Sequence, residues 1–189
     1  MTGILAIETA TEACSVALWR DGDLVELHEI TPRKHSQRLF GMLRDVLPGG
    51  DLRSHGITAI AYGTGPGSFT GLRIAASAVQ GLAFAACLPA IPVSTLACQA
   101  QTALRLGRVS ADALVCSVLD ARVNELYHAT YGYRDGLPEV VSAPAACRPD
   151  ALTLAEGVAA LVGNGCALAG QFAPELTDRI GALHADILP

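Results

Sequence analysis

The residues with the clearest capacity for chemistry form a glycine-rich loop over residues 63–71, GTGPGSFTG. The loop follows an apolar segment at 57–62 and leads into a nearly uncharged segment at 71–87. Glycine lets a phosphate, a partner helix or another stretch of backbone come close, and Thr70 is placed to cap the helix that follows. The loop therefore predicts a close approach by some other group.

Two phosphate-binding motifs fit this loop poorly. A P-loop requires a lysine at the start of the helix, where this chain has TGLR at 70–73. The spacing of Gly65, Gly67 and Gly71 is closer to a dinucleotide fingerprint, but Pro66 removes a backbone donor and no acid follows the next predicted strand. We therefore expect that mostly protein approaches the loop.

One carboxylate follows the first predicted strand in each half of the chain. Glu8, with Thr9 beside it, ends the strand at 4–7, and Asp120 ends the strand at 113–119. Such a pair could hold a nucleotide-bound metal between two halves. The alternative is that each carboxylate only caps or ends its own strand. The sequence leaves both interpretations open.

No catalytic constellation or metal site is predicted. The five histidines include no pair at the i, i+3 or i, i+4 spacing that would place two ligands on one helical face. The chain has no H-E-x-x-H or G-x-S-x-G motif, and its six cysteines lie apart, several of them in apolar runs. That cysteine usage, with no leader-like N-terminus, favours a reducing cytoplasm.

The bulk composition favours a well-packed protein that does not grip nucleic acid by itself. Of 189 residues, 51% are hydrophobic and 16% charged, which is ample material for a core. The formal charge of −5 argues against direct phosphate neutralisation. The apolar segment 71–88 contains Arg73, Ser77 and Gln80, so we interpret it as a buried helix rather than a membrane span.

The order of predicted elements repeats. The first half shows strands at 4–7, 13–19, 24–30, 57–62 and 90–93, and helices at 36–47, 71–87 and 95–106. The second half shows strands at 113–119, 125–131, 139–142 and 158–162, and helices at 149–156 and 166–172. Two βββαβα halves describe an α/β, duplicated actin-like, ribonuclease-H-like fold, with predicted domains at 1–107 and 108–189.

Two helices of the first half are candidates for an interface. In helix 71–87, Ser77, Gly81 and Ala85 recur every four residues, and small side chains at this spacing permit close helix contact. Helix 36–47 has an apolar face of its own. Packing against the chain's own sheet is the alternative, and we expect part core and part interface. The predicted partner-binding residues are Leu39, Phe40, Leu43, Leu72, Ser77, Gly81 and Ala85.

Several segments together resemble the bacterial TsaB (YeaZ) family. They are ILAIETAT at 4–11 with CSVAL at 14–18, the loop GPGSFTGLRI at 65–74, and LDAR at 119–122 with ELY at 125–127. The match runs in order over about the first 130 residues and continues more loosely, through GNG at 163–165, to about 170. The long glycine motif is the most specific part of it.

The resemblance implies an actin-like fold and a role in making threonylcarbamoyladenosine beside the tRNA anticodon. It implies that the chain is the non-catalytic partner of a TsaD-like subunit, which carries the metal and transfers the threonylcarbamoyl group, with a TsaE-like ATPase joining them. It further implies homodimers through the first-half helices when the chain is alone, tRNA contact only through the complex, and no membrane. We expect no cofactor to be required by this chain, with ATP and magnesium either bound by it or supplied by partner subunits.

Two departures from the family pattern bear on these expectations. The first strand ends in Glu8, where many relatives have aspartate, which weakens the case for nucleotide coordination. Family members also generally continue into a C-terminal segment that packs on the first half, so we expect that either the protein is short or the sequence is trimmed. The competing hypothesis is an autonomous ATP- and magnesium-dependent enzyme that uses Glu8 and Asp120. A peptidase has no nucleophile or metal motif to support it.

Overall fold

The computed structural model describes residues 2–189, which divide into two compact units, one through Thr95 and one from Leu96 to Pro189. The first unit is a five-stranded mixed sheet in the order β3-β2-β1-β4-β5, with helices connecting its parallel strands. Its elements are β1 (Gly3–Glu8), β2 (Ala13–Arg20), β3 (Asp23–Ile30), α1 (His35–Val46), β4 (Ile57–Gly63), α2 (Phe69–Ala86) and β5 (Ala90–Val93).

The core of the first unit lies between this sheet and the two helices. Alternation along β1 turns Leu5 and Ile7 toward the helices, where they pack with Leu39 of α1 and Val79 of α2. α1 contacts β2 and β3, whereas α2 contacts β1, β4 and β5, and the two helices also touch each other. The two helices therefore lie side by side on one face of the sheet.

The ends of α2 differ from the prediction in one respect. Ser68, not Thr70, caps the helix: the Gly71 N–H donates to Ser68 Oγ at 3.3 Å. The chain becomes helical at Phe69, two residues earlier than predicted, so Thr70 already lies within the first turn. At the other end, Cys87 adopts a left-handed conformation with φ of 50°, and Arg53 donates to the Ala86 carbonyl at 2.8 and 3.0 Å.

The second unit repeats the strand order of the first. Its sheet runs β8-β7-β6-β9-β10, so β6 stands where β1 stands and β9 where β4 stands. The elements are α3 (Thr95–Arg105, whose first residue belongs to the first unit), β6 (Leu114–Arg122), β7 (Glu125–Arg134), β8 (Leu137–Cys147), β9 (Val158–Val162), α4 (Pro174–Thr177) and β10 (Ala182–His184). The predicted duplication is thus confirmed.

The helical connections of the second unit differ from the prediction. The helix predicted at 149–156 is wrong: only Pro149–Ala151 forms a 3₁₀ turn, because Leu152 is extended and buried. The helix predicted at 166–172 is a 3₁₀ helix over Asn164–Gln171. The prediction also missed α4 and β10, which are short.

The division between the units falls at the start of α3. Leu96 and Ala100 of that helix are buried against Leu119 and Tyr131 of the second sheet. The sequence prediction placed the boundary after the helix, at 107, because GR at 107–108 marked its end. The burial of the helix explains why it groups with the strands that follow it.

Candidate interaction surface and predicted nucleotide-site residues

Glu8 is buried at the end of β1, and both of its carboxylate oxygens accept hydrogen bonds from the first unit itself. The Ala10 N–H donates to Oε1 at 2.6 Å, and the Thr95 hydroxyl donates to Oε2 at 3.0 Å. Burial raises the pKa of the Glu8 carboxyl, although these hydrogen bonds act in the opposite direction. The side chain is therefore held in place and shielded from water.

The glycines of the loop are required by the close approach of the chain's own β1–β2 turn. A side chain at Gly63 would collide with the Glu8 carboxylate, one at Gly67 with the Ala10 carbonyl, and one at Gly71 with the Thr9 carbonyl. The group that approaches the loop in this structure is thus protein from the same unit.

Thr9 is also engaged in this turn. Its hydroxyl is fully buried and donates to the Gly71 carbonyl at 2.7 Å, near the start of α2. The Ala10 carbonyl accepts from the Ser68 N–H at 2.6 Å. Thr9 and its neighbours therefore bind the glycine loop instead of presenting free groups to a phosphate.

Asp120 belongs to the second unit and lies half-buried near the end of β6. Its Oδ1 accepts from the Arg122 N–H at 2.8 Å, and the Arg122 guanidinium lies 3.8 Å from Oδ2. Its own N–H donates to Asn164 Oδ1 at 3.0 Å. These contacts are those of a carboxylate that ends a strand and shapes the β6–β7 hairpin.

The predicted nucleotide-site residues, taken in their own units, do not form a donor set for a metal. The oxygens of Glu8 are already hydrogen-bonded and buried, and a cationic side chain lies beside Asp120. Among residues 2–189, no group of three or more histidine, cysteine, aspartate or glutamate side chains is arranged to hold a metal ion. Hard cations such as magnesium prefer several free oxygen ligands, so these residues fit the ion poorly.

The predicted partner-binding residues separate into core and surface. Leu39 and Leu43 are buried in the core of the first unit, and Leu72 is half-buried. Ser77, Gly81 and Ala85 are exposed along α2, and Phe40 of α1 is 53% exposed. Leu39 and Leu43 are therefore packing residues, because the apolar stripe of α1 faces its own sheet.

Two exposed phenylalanines of α2 were missed by the sequence analysis. Phe69 is 69% exposed and Phe84 is 87% exposed. The Arg73 guanidinium lies 4.3 Å from the centre of the Phe69 ring. The signal that could have found them is helical spacing, because Phe84 lies three and seven residues after Gly81 and Ser77. We define the α2 surface as the exposed residues Phe69, Ser77, Gly81, Phe84 and Ala85.

α2 is long and apolar enough to cross a membrane by length and composition alone. Only 28% of its residues are buried, on the side that carries Ala75 and Val79 against the first sheet. Helices of a protein core pass the same test, so the property is weak support for a membrane span. Its exposed side is the α2 surface.

Comparison with known proteins identifies the family. The sequence profile described as TsaD, tRNA N6-adenosine threonylcarbamoyltransferase, matches residues 27–175. A solved structure described as YeaZ from Pseudomonas aeruginosa superposes with a TM-score of 0.87 at 37% identity, covering 100% of this chain and 86% of that one. The chain belongs to the TsaB (YeaZ) family. The fold is accordingly the duplicated actin-like fold that the order of elements predicted.

Curated TsaB relatives share part of the chain. The Escherichia coli protein named tRNA threonylcarbamoyladenosine biosynthesis protein TsaB is 50% identical over 128 residues, which are 68% of this chain and 54% of that protein. The Haemophilus influenzae protein of the same name is 44% identical over 124 residues, 66% of this chain and 51% of that protein. The chain thus spans about half the length of the curated relatives it matches.

A second Pseudomonas aeruginosa structure is described as an uncharacterized protein with similarity to peptidase YeaZ. It superposes with a TM-score of 0.85 at 37% identity. The three buried cysteines do not resemble peptidase nucleophiles, since burial raises the pKa of Cys14 to about 11 and those of Cys116 and Cys166 to about 12. A nucleophilic cysteine needs a lowered pKa.

Proposed function

We propose that this TsaB-family chain takes part in tRNA threonylcarbamoyladenosine biosynthesis as a non-catalytic assembly subunit. It binds a TsaD-like catalytic subunit through the α2 surface and associates with itself when that partner is absent. A TsaE-like ATPase completes the complex in the cytoplasm. The observation that carries this proposal is the exposure of Phe69 and Phe84 beside small residues on a helix whose other side is buried.

The composition of the α2 surface supports a protein partner. Exposed aromatic side chains are common energetic anchors of interfaces. Ser77, Gly81 and Ala85 leave room for another backbone, and a side chain added at Gly81 would meet nothing within 4 Å in this chain. Phe40 of the neighbouring α1 is a further exposed aromatic residue in the same unit. Large groups next to small ones allow a complementary surface to interdigitate.

The internal use of Glu8, Thr9 and Asp120 supports a non-catalytic role. All three side chains contact their own units, and Glu8 and Thr9 are fully engaged there. The acidic net charge of −5 supports tRNA contact through the complex rather than through this chain alone. Calorimetry of the isolated chain with ATP and magnesium tests the competing enzyme hypothesis, which micromolar binding with turnover would favour.

The decisive test of the interface is Gly81→Glu. A charge at the centre of the α2 surface should weaken association with the TsaD-like subunit, and with a second copy, by about 100-fold or more. Co-purification and sedimentation measure the effect. The matched control is Gly170→Glu, because Gly170 is also exposed with nothing within 4 Å but lies in the second unit. Undiminished binding by Gly81→Glu would refute the assignment.

A further inference from the structure

Glu8 is linked by hydrogen bonds to the start of α2. Its carboxylate accepts from the Ala10 N–H, and the Ala10 carbonyl in turn accepts from the N–H of Ser68, the cap of α2. Through this path, the end of β1 holds the residue at which α2 begins.

A second path runs through Thr95. The Thr95 hydroxyl donates to Glu8 and accepts from the Gly65 N–H at 3.1 Å, while the Thr95 N–H donates to the Gly65 carbonyl at 2.9 Å. Gly65 thus has both backbone polar groups bound to one residue. The glycine loop is thus held at two points, Gly65 and Ser68.

We propose that Glu8 and Thr95 are positioning residues of the α2 surface, and that Glu8 acts as a hydrogen-bonding strut rather than as a metal ligand. The two residues fix the path of the glycine loop and hence the point at which α2 and the exposed Phe69 begin. The consequence for assembly rests on the proposed function. The positioning itself does not, since every contact in it lies within the first unit.

Most of the hydrogen bonds of this strut can be kept without a negative charge. A glutamine at position 8 can accept from the Ala10 N–H with its oxygen and donate to Thr95 Oγ1 with its amide, which reverses the direction of the bond to Thr95 and leaves the Thr95 hydroxyl hydrogen without this acceptor. An amide is a poor substitute for a carboxylate that binds magnesium. Glu8→Gln therefore separates the two roles, whereas Glu8→Ala removes both.

Thr95 offers a matched pair of the same kind. Thr95→Ser keeps the hydroxyl that bridges Glu8 and Gly65, whereas Thr95→Val keeps the shape and leaves the Gly65 N–H and the buried carboxylate without that partner. Because Thr95 is fully buried, neither variant changes the surface that a partner would contact. This pair also decides the question should Glu8→Ala fail to fold.

The first measurement is amide hydrogen exchange of the isolated chain, which needs no partner. In Glu8→Ala and Thr95→Val, the amides of Gly65 and Ser68 should exchange about tenfold faster or more, because their hydrogen bonds lose support. In Glu8→Gln and Thr95→Ser they should exchange within about twofold of the wild-type rates. Glu156→Gln, an exposed substitution in the second unit, is the control and should change neither amide.

The second measurement is association with the TsaD-like subunit. Glu8→Ala and Thr95→Val should weaken it about tenfold, whereas Glu8→Gln and Thr95→Ser should retain it. Equal losses in Glu8→Gln and Glu8→Ala would show that the charge is essential and overturn the proposal, as would unchanged loop exchange in Thr95→Val. Failure of the wild-type chain to associate would refute the proposed function, while the exchange experiment would still decide the positioning role.

Discussion

The two units share one sheet order but finish their central parallel strands differently. In the first unit, β1 and β4 end at a buried carboxylate and a long glycine loop that leads into α2, a helix of 18 residues. In the second, β6 ends near Asp120 in the hairpin to β7, and β9 is followed by GNG at 163–165 and a 3₁₀ helix of 8 residues. The sheet was retained in both copies while the crossover connections diverged.

The buried polar groups at these strand ends have opposite character. In the first unit, the acceptor Glu8 collects N–H and O–H donors. In the second, the Gln99 amide nitrogen donates to the carbonyl of Val118 at 3.3 Å and to that of Val162. Both arrangements satisfy backbone or side-chain groups that water does not reach. One topology therefore accepts either a buried acceptor or a buried donor beside its central strands.

The first prediction concerns Gly71 in α2, which the backbone of Thr9 approaches closely. Gly71→Ala should lower the free energy of unfolding of the first unit by about 3 kcal/mol or more, because the new methyl group would meet the backbone carbonyl of Thr9. Urea denaturation measures it. Gly81→Ala in the same helix is the control and should be neutral or stabilising by up to about 1 kcal/mol. A similar small effect at both positions would contradict this account.

The second unit should depend on Gln99 as the first depends on its glycine loop. Gln99→Leu leaves the carbonyls of Val118 and Val162 buried without their donor, and should cost about 2–3 kcal/mol in the free energy of unfolding. Thermal unfolding checks this. The control is Gln101→Leu, whose hydrogen bond to Gly136 is exposed, with an expected cost of about 0.5 kcal/mol or less. Equal losses in the free energy of unfolding of the two variants would contradict a special role for the buried hydrogen bonds of Gln99.

The smallest expected effect concerns the ends of α2 and α3. α2 ends at Cys87 in a left-handed conformation that disfavours side chains, whereas α3 is followed by Gly107 with φ of 65°. Cys87→Gly should stabilise the chain by about 1 kcal/mol, and Gly107→Ala should destabilise it by about as much. Chemical denaturation measures both free energies of unfolding. If the two substitutions changed them in the same direction, this account of the two helix ends would be wrong.

The strands were predictable because alternation and turn residues are local signals. β2 and β3 were found from apolar runs joined by DGD at 21–23, and β9 from its apolar run before a glycine. The sequence predicts helices where the structure has 3₁₀ segments at 149–151 and 164–171, because composition does not distinguish one turn from several. The cap of α2 was misplaced by two residues, since Ser68 and Thr70 are both good caps.

The candidate site was predictable in its residue types but not in their surroundings. The pattern of small residues located the exposed part of α2, yet Leu39 and Leu43 were assigned to the same surface although they are buried. Periodicity identifies an apolar face without saying whether a sheet or a partner covers it. The two exposed phenylalanines show the converse, since these apolar residues of α2 lie outside the part of the helix that packs in the core.

By itself, the sequence determined the duplicated order of elements, the family and the glycine loop, because these are written in local patterns and in residue identity. Only the tertiary structure decided what the loop and the carboxylate do. Hydrogen bonds that join Glu8 to Thr95, and Thr9 to Gly71, span 87 and 62 residues of chain. Whether a buried carboxylate serves a ligand or its own fold depends on which donors folding brings to it, and those donors are distant in sequence.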